Sequence, residues 1–183
     1  MKEKKLEAMA DGHFKGMVWM YKVCDLFWSS KRRLKKIPLR EGMRVVGYGC
    51  GPGRYTLPIA KLIGPEGKVF AVDIQPLAIK TVKKKTARQG LGNVEAELVD
   101  SYDTGIPGAT IDLVLLIDIL HMIKNRDALF HEIHRLLKPE GLLFVTPEHM
   151  KLSRAKEILE SSSLFTVTEY RDRDMIVAPE VQQ

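Results

Sequence analysis

The stretch RVVGYGCGPGRYT, residues 44–56, carries glycine at every second position, Gly47, Gly49, Gly51 and Gly53, directly after a short apolar run. Glycine has no Cβ, so such a backbone can turn sharply and pass close beneath a ligand. Further along, acids close three apolar runs: Asp73 in VFAVD, Asp100 in AELVD and Asp118 in LVLLID. An ionised carboxylate only accepts hydrogen bonds, so each suits a hydroxyl or amine. His121 follows Asp118 by three residues, and Glu148 with His149 follows the run LLFVTP. A histidine titrates near neutrality and can act as a base. It can equally cap a loop.

Two familiar ligands do not fit the glycines. The dinucleotide fingerprint is G-x-G-x-x-G/A, with the third residue packing helix on strand. Counted from Gly47 the third position is Pro52, and from Gly49 it is Arg54. A triphosphate loop needs Lys-Ser or Lys-Thr after its last glycine, and neither pair is present here.

The elements that must position these residues alternate. Apolar runs at 43–48, 68–73, 93–100, 111–118 and 141–147 read as strands, and amphipathic stretches at 54–63, 76–90, 126–138 and 152–162 read as helices. Runs 164–171 and 174–179 are separated by a turn too short for a parallel crossover, so they form an antiparallel hairpin. The expected fold is α/β: a doubly wound, Rossmann-like sheet of seven strands, five parallel plus the C-terminal hairpin, with helices on both faces. Ligands of such sheets bind beyond the carboxyl ends of the strands, where the strand order reverses. The glycines lie just there.

The chain is expected to be one domain, 1–183, with an N-terminal helical cap over 1–40 and an α/β core over 41–183. Ala10, Phe14, Met17, Tyr21, Cys24 and Trp28 recur at helical spacing, and His13, Tyr21 and Trp28 are candidates to line a lid. The net charge of +6 is uneven: residues 1–44 hold 12 Lys and Arg against 5 Asp and Glu. That surplus suits a solvated helix face, or a patch for an anionic partner. The two cysteines form no disulfide framework and have no metal-site spacing, and no metal is expected. No apolar stretch has signal-peptide or membrane-spanning length, which suggests a cytoplasmic protein.

The glycine stretch resembles the first motif of class I S-adenosylmethionine-dependent methyltransferases, V-L-D-x-G-C-G-P-G-x-x-T. The resemblance extends over roughly 42–179. VFAVDIQP is similar to that family's second strand, AELVDSYD to its third and IDLVLLIDILHMI to its fourth. EIHRLLKPEGLLFVTPE is similar to its R-x-L-K-P-G-G segment, with Glu140 at one of the usual glycines. Among subfamilies it looks most like the small-molecule type of ubiquinone and menaquinone biosynthesis, the type 11 methyltransferase domain.

The resemblance implies S-adenosylmethionine as cofactor and S-adenosylhomocysteine as product. It implies a cofactor set of Gly47, Tyr48, Gly49, Cys50, Gly51 and Gly53 under the methionine tail, Asp73 on the ribose hydroxyls and Ile74 on the adenine face. Asp100 with Ser101 would accept from the adenine amine, with Asp103 as the alternative to Asp100. Ile117 and Asp118 would lie by the methionine end. Where the family usually has an acid, this chain has Gly47, and Asp118 is the candidate to supply part of the missing charge. His121 is the candidate catalytic residue.

Methyl transfer from a sulfonium is an in-line displacement, and alignment with desolvation can supply much of the catalysis. The segment after the fourth strand, IDILHM, lacks the Asn/Asp-Pro-Pro-Tyr/Phe of amino-methylating nucleic-acid enzymes. Cys24 and Cys50 are misplaced for cytosine C5 chemistry, and two cysteines do not suffice for an arsenic methyltransferase. The favoured expectation is an enzyme with a small-molecule acceptor. The alternatives are an RNA- or protein-directed methyltransferase docking through the basic 31–36 segment, and a non-catalytic cofactor-binding module.

Overall fold

The computed structural model describes residues 8, 10, 12–14, 16 and 30–180, with 30 and 31 described by backbone alone. In chain order the elements are α1 (Ser30–Leu34), β1 (Arg44–Tyr48), α2 (Thr56–Leu62), β2 (Lys68–Asp73), α3 (Pro76–Arg88), β3 (Val94–Leu98) and β4 (Ile111–Ile117). A 3-10 turn (Leu120–Met122) leads to α4 (Arg126–Leu136), β5 (Leu137–Thr146), α5 (Leu152–Glu160), β6 (Phe165–Arg171) and β7 (Asp174–Pro179). The expected stripe through Met17, Tyr21, Cys24 and Trp28 lies outside the described residues.

Seven strands form one sheet in the order β3-β2-β1-β4-β5-β7-β6. The first five are parallel to one another, and β7 runs antiparallel to both β5 and β6. β1 and β4 pair directly, Val45 opposite Leu113 and Tyr48 opposite Leu116. The chain winds one way from β1 to β3 and the other way from β4 onward, so the reversal falls between β1 and β4.

The central strands are apolar because helices cover both faces. One core joins Val46, Val114, Leu116, Phe130, Ile133 and Val145, and a second joins Val45, Ile59, Leu113, Leu115 and Phe144. Neighbouring residues of one strand thus feed opposite layers, as the two-residue period of a strand requires.

One boundary departs from expectation. β5 begins at Leu137, four residues before the apolar run, where Leu137 pairs with Ile111 ahead of a register shift. The residue before a proline avoids the helical region. Lys138 precedes Pro139, so α4 cannot run through Lys138; it ends at Leu136, and Leu137 is already extended (φ −66°, ψ 140°). The 3-10 turn after β4 gives no periodic signal and was not expected.

Candidate functional site

A cavity of about 600 Å³ opens at the carboxyl ends of β1, β2 and β4, at the reversal of strand order. Its size is that of a small-molecule or cofactor site. Gly47, Tyr48, Gly49, Cys50, Gly51, Asp73, Ile74, Ser101, Ile117 and Asp118 all line it. The other predicted residues do not. Gly53 sits behind the loop, Asp100 is exposed beside it, and His121 lies outside the rim.

The loop after β1 is held by backbone bonds and by Asp73. Gly49 and Cys50 both donate to the Val72 carbonyl, at 2.9 and 3.0 Å. Gly49 has φ +70°, and a Cβ there would stand 2.9 Å from Ile119 Cγ2. Both the dihedral and the space demand glycine. Gly53 has φ +80°, and a Cβ there would meet Leu57 Cδ1 at 2.7 Å and Val82 Cγ2 at 3.1 Å. Its place is a packing one, letting α2 and α3 close against the loop. Gly47 is different: its φ is ordinary, and the nearest atom to an added Cβ is Cys50 Cβ at 3.9 Å.

The Asp73 carboxylate is the polar centre of the loop. Its Oδ2 accepts from Gly51 N at 2.8 Å and its Oδ1 from Gln75 N at 2.8 Å. Burial pushes its pKa above the ordinary 3.8, and the bonds from Gln75, Gly51 and Ile74 oppose that rise. Cys50 is pushed well above its ordinary value by burial and then by the Asp73 charge. Its thiol therefore stays protonated and is not a nucleophile.

The wall after β3 is set by a buried acid on α4. Glu132 Oε1 accepts from Thr104 N at 3.0 Å and Thr104 Oγ1 at 2.7 Å. Arg135 bridges Glu132 to the Ile106 carbonyl. This pins residues 104–106 and brings Ser101 and Tyr102 to the cavity. Asp103 is spent on a local turn, accepting from Gly105 N at 2.9 Å. Neither Asp100 nor Asp103 lines the cavity. Tyr102 was not anticipated. It is buried, its carbonyl accepts from Tyr48 Oη at 2.7 Å, and its own hydroxyl accepts from Asn125 N at 3.4 Å. Its only sequence signal was an aromatic residue inside a loop read for its acids.

The outer side comes from α1 and the loops after β4 and β5. Arg33 lines the cavity, donates to Tyr55 Oη at 3.0 Å and pairs with Glu148, another lining residue. Phe14, buried, also reaches the cavity, whereas His13 is exposed and does not. Asp118 has φ +56°, unusual for a residue other than glycine, and its N–H donates to the Thr146 carbonyl at 2.8 Å. Its Oδ1 accepts from His149 Nδ1 at 2.7 Å and lies 3.7 Å from His121 Nδ1. That bond, with the Asp118 charge, raises the His149 pKa above 6.5.

With this geometry in view, similarity to known proteins is informative. Residues 39–175 match a family described as "Methyltransferase domain". Nocamycin O-methyltransferase of Saccharothrix syringae is 29% identical over 117 residues, 64% of this chain and 42% of its own. Ubiquinone/menaquinone biosynthesis C-methyltransferase of Teredinibacter turnerae is 30% identical over 125 residues, 66% of this chain and 50% of its own. The chain thus spans half or less of the length of these relatives. The solved structure of a SAM dependent methyltransferase from Aquifex aeolicus superposes with a TM-score of 0.81 at 22% identity, covering 94% of this chain and all of that one. The family match takes in β1 through β6 and enters β7, and the chain belongs to the class I methyltransferase-domain family.

Proposed function

We propose that the protein transfers a methyl group from S-adenosylmethionine to a small-molecule acceptor. The observation that carries this reading is the Asp73 carboxylate at the cavity. Its oxygens accept from Gly51 and Gln75 N–H, with Ile74 N–H a third donor to the carboxylate, and an ionised carboxylate has about four acceptor sites in all. A ribose hydroxyl is the donor that the remaining capacity suits. The glycine loop supplies close backbone beside it, and the cavity of about 600 Å³ has room for the remainder.

In this reading Gly49, Cys50 and Gly51 pass beneath the methionine tail, with Gly47 and Tyr48 ahead of them. Ile74 packs on the adenine, and Ser101 faces its amine. Ile117 lies by the methionine end. The cofactor supplies an activated methyl on a good leaving group. The chain's own part is to align the acceptor and exclude water, for which Ile119, Met122 and Ile123 provide an apolar wall.

Small-molecule acceptors are favoured by the relatives, whose names place them in nocamycin and quinone chemistry. The basic segment offers less to RNA than its composition suggests. Arg33 is paired with Glu148, and Lys36 Nζ lies 2.6 Å from Asp172 and 3.4 Å from Asp174.

Calorimetric titration with S-adenosylhomocysteine tests the reading, with NAD as control. We expect micromolar binding, no response to NAD, and a loss of about 100-fold in Asp73→Ala, as expected for losing a hydrogen bond to a charged group. Absence of binding at millimolar ligand would overturn the enzymatic reading.

A further inference from the structure

Asp118, which lines the cavity, meets His121 and His149 just outside it, and the methyl-transfer reading uses neither histidine. One ligand atom from each lies within 4.8 Å of the other two. The His149 and His121 Nδ1 atoms stand 2.7 and 3.7 Å from the same Asp118 oxygen, and the two rings are 4.9 Å apart at their centroids. Three elements are needed to bring them together. Asp118 follows β4 in a left-handed backbone conformation, His121 is in the 3-10 turn beyond it, and His149 comes from the loop after β5.

We propose that these three side chains bind a divalent transition-metal ion. Two imidazole nitrogens and one carboxylate oxygen suit Zn²⁺, Co²⁺, Ni²⁺ or Fe²⁺ and leave open coordination positions. Metal–ligand bonds of roughly 2.0–2.2 Å place donor atoms about 3.0–3.5 Å apart. The ion therefore requires the His149–Asp118 pair to open slightly and His121 to close. Both histidines are free to do so, with side chains 66% and 30% exposed, while Asp118 at 13% is the fixed member. Binding displaces the proton that Nδ1 of His149 holds toward the carboxylate. Mg²⁺, which prefers oxygen ligands and retains water, is not expected to bind.

The open positions border the cavity. Met122 follows His121 and Glu148 precedes His149, and both line it, as does Asp118 itself. The remaining ligand is then an oxygen of the methyl acceptor, an assignment that rests on the methyl-transfer reading above. Coordination lowers the pKa of a bound hydroxyl. Its proton leaves to water, the oxygen forms a bond to the methyl carbon, and the carbon–sulfur bond breaks with its electron pair remaining on sulfur. The acceptor class is one with oxygens on adjacent carbons, which can occupy two open positions together.

The test uses the full chain, stripped with chelator and titrated with Zn²⁺ and with Co²⁺, whose visible absorption reports its ligands. One equivalent should bind, His121→Ala and His149→Ala should each weaken binding at least 10-fold, and catechol should shift the Co²⁺ spectrum. Circular dichroism of both variants should match the parent, since the two side chains are exposed. S-adenosylhomocysteine titration of the same variants separates the two readings. Retained cofactor affinity with lost metal binding supports the metal site. No stoichiometric Zn²⁺ binding by the parent, or binding unchanged in both variants, overturns it whatever the cofactor result. An unshifted spectrum with catechol overturns the acceptor assignment alone.

Discussion

At the residue scale, Gly47 is the informative absence. The cationic tail of the proposed cofactor meets a glycine where the family usually carries an acid. Asp118, the candidate replacement, already accepts a bond from His149. Gly47 has ordinary φ, and an added Cβ would meet nothing nearer than Cys50 Cβ at 3.9 Å, an ordinary contact. Gly47→Asp should therefore fold and should tighten S-adenosylmethionine binding about 10-fold, the effect of one charge-assisted hydrogen bond; calorimetry reads it directly. Asp73 sets a pH dependence. In the proposed reading its ionised form accepts a ribose hydroxyl, and burial raises its pKa above 3.8. Cofactor affinity should fall as pH drops through that raised value, and an Asp73→Asn variant should lack this acid limb. For the unliganded fold the sign is opposite. The raised pKa adds stability below 3.8, which is lost as pH rises through the folded value.

At the element scale, α4 governs the wall after β3 through Glu132. Burial alone would raise its carboxyl, but the bonds from Arg135 and Thr104 prevail and hold it below its ordinary 4.5. A depressed carboxylate contributes stability above its unfolded value, and that contribution is lost as pH falls through the lower folded one. Glu132→Gln should cost about 2 kcal/mol at neutral pH, because a buried network loses an acceptor. It should also flatten acid unfolding below pH 4.5. Urea melts across pH would show both. The same substitution should weaken cofactor binding, because Ser101 and Tyr102 hang from the loop that Glu132 pins.

At the scale of the whole molecule, Asp174 ties the N-terminal side to the far edge of the sheet. It is 1% exposed and starts β7. It accepts from Thr146 Oγ1 of β5 at 2.8 Å and stands 3.4 Å from both Arg33 Nε and Lys36 Nζ. Removing one partner of a buried pair leaves the others uncompensated. Asp174→Asn should cost about 3 kcal/mol in denaturant unfolding and should speed trypsin cleavage within 30–36. The 31–36 segment that reads as a docking patch is thus partly a clasp. Among its described side chains the exposed cations are Arg32 and Lys35.

Much of this architecture was legible because strands and helices write their periods into the chain. The apolar runs marked every strand to within a few residues, while the end of α4 was read two residues too far, past the stop that Pro139 imposes. The glycine run and two of the acids closing apolar runs, Asp73 and Asp118 but not Asp100, marked the cavity, since an α/β sheet brings its strand ends to one side. What stayed hidden depends on neighbours distant in sequence. Only packing shows that Gly53 serves the helices, that Asp103 is consumed by its own turn, and that Tyr102 faces the cavity. Likewise, residues 118, 121 and 149 have no ligand spacing along the chain. They meet because β4 and β5 are parallel neighbours, so the loops that leave them emerge side by side. Local sequence determined the elements and the cofactor loop, because hydrogen bonding and backbone sterics act over a few residues. Tertiary structure decided which polar groups still face the cavity, because that depends on which partners the fold had already engaged.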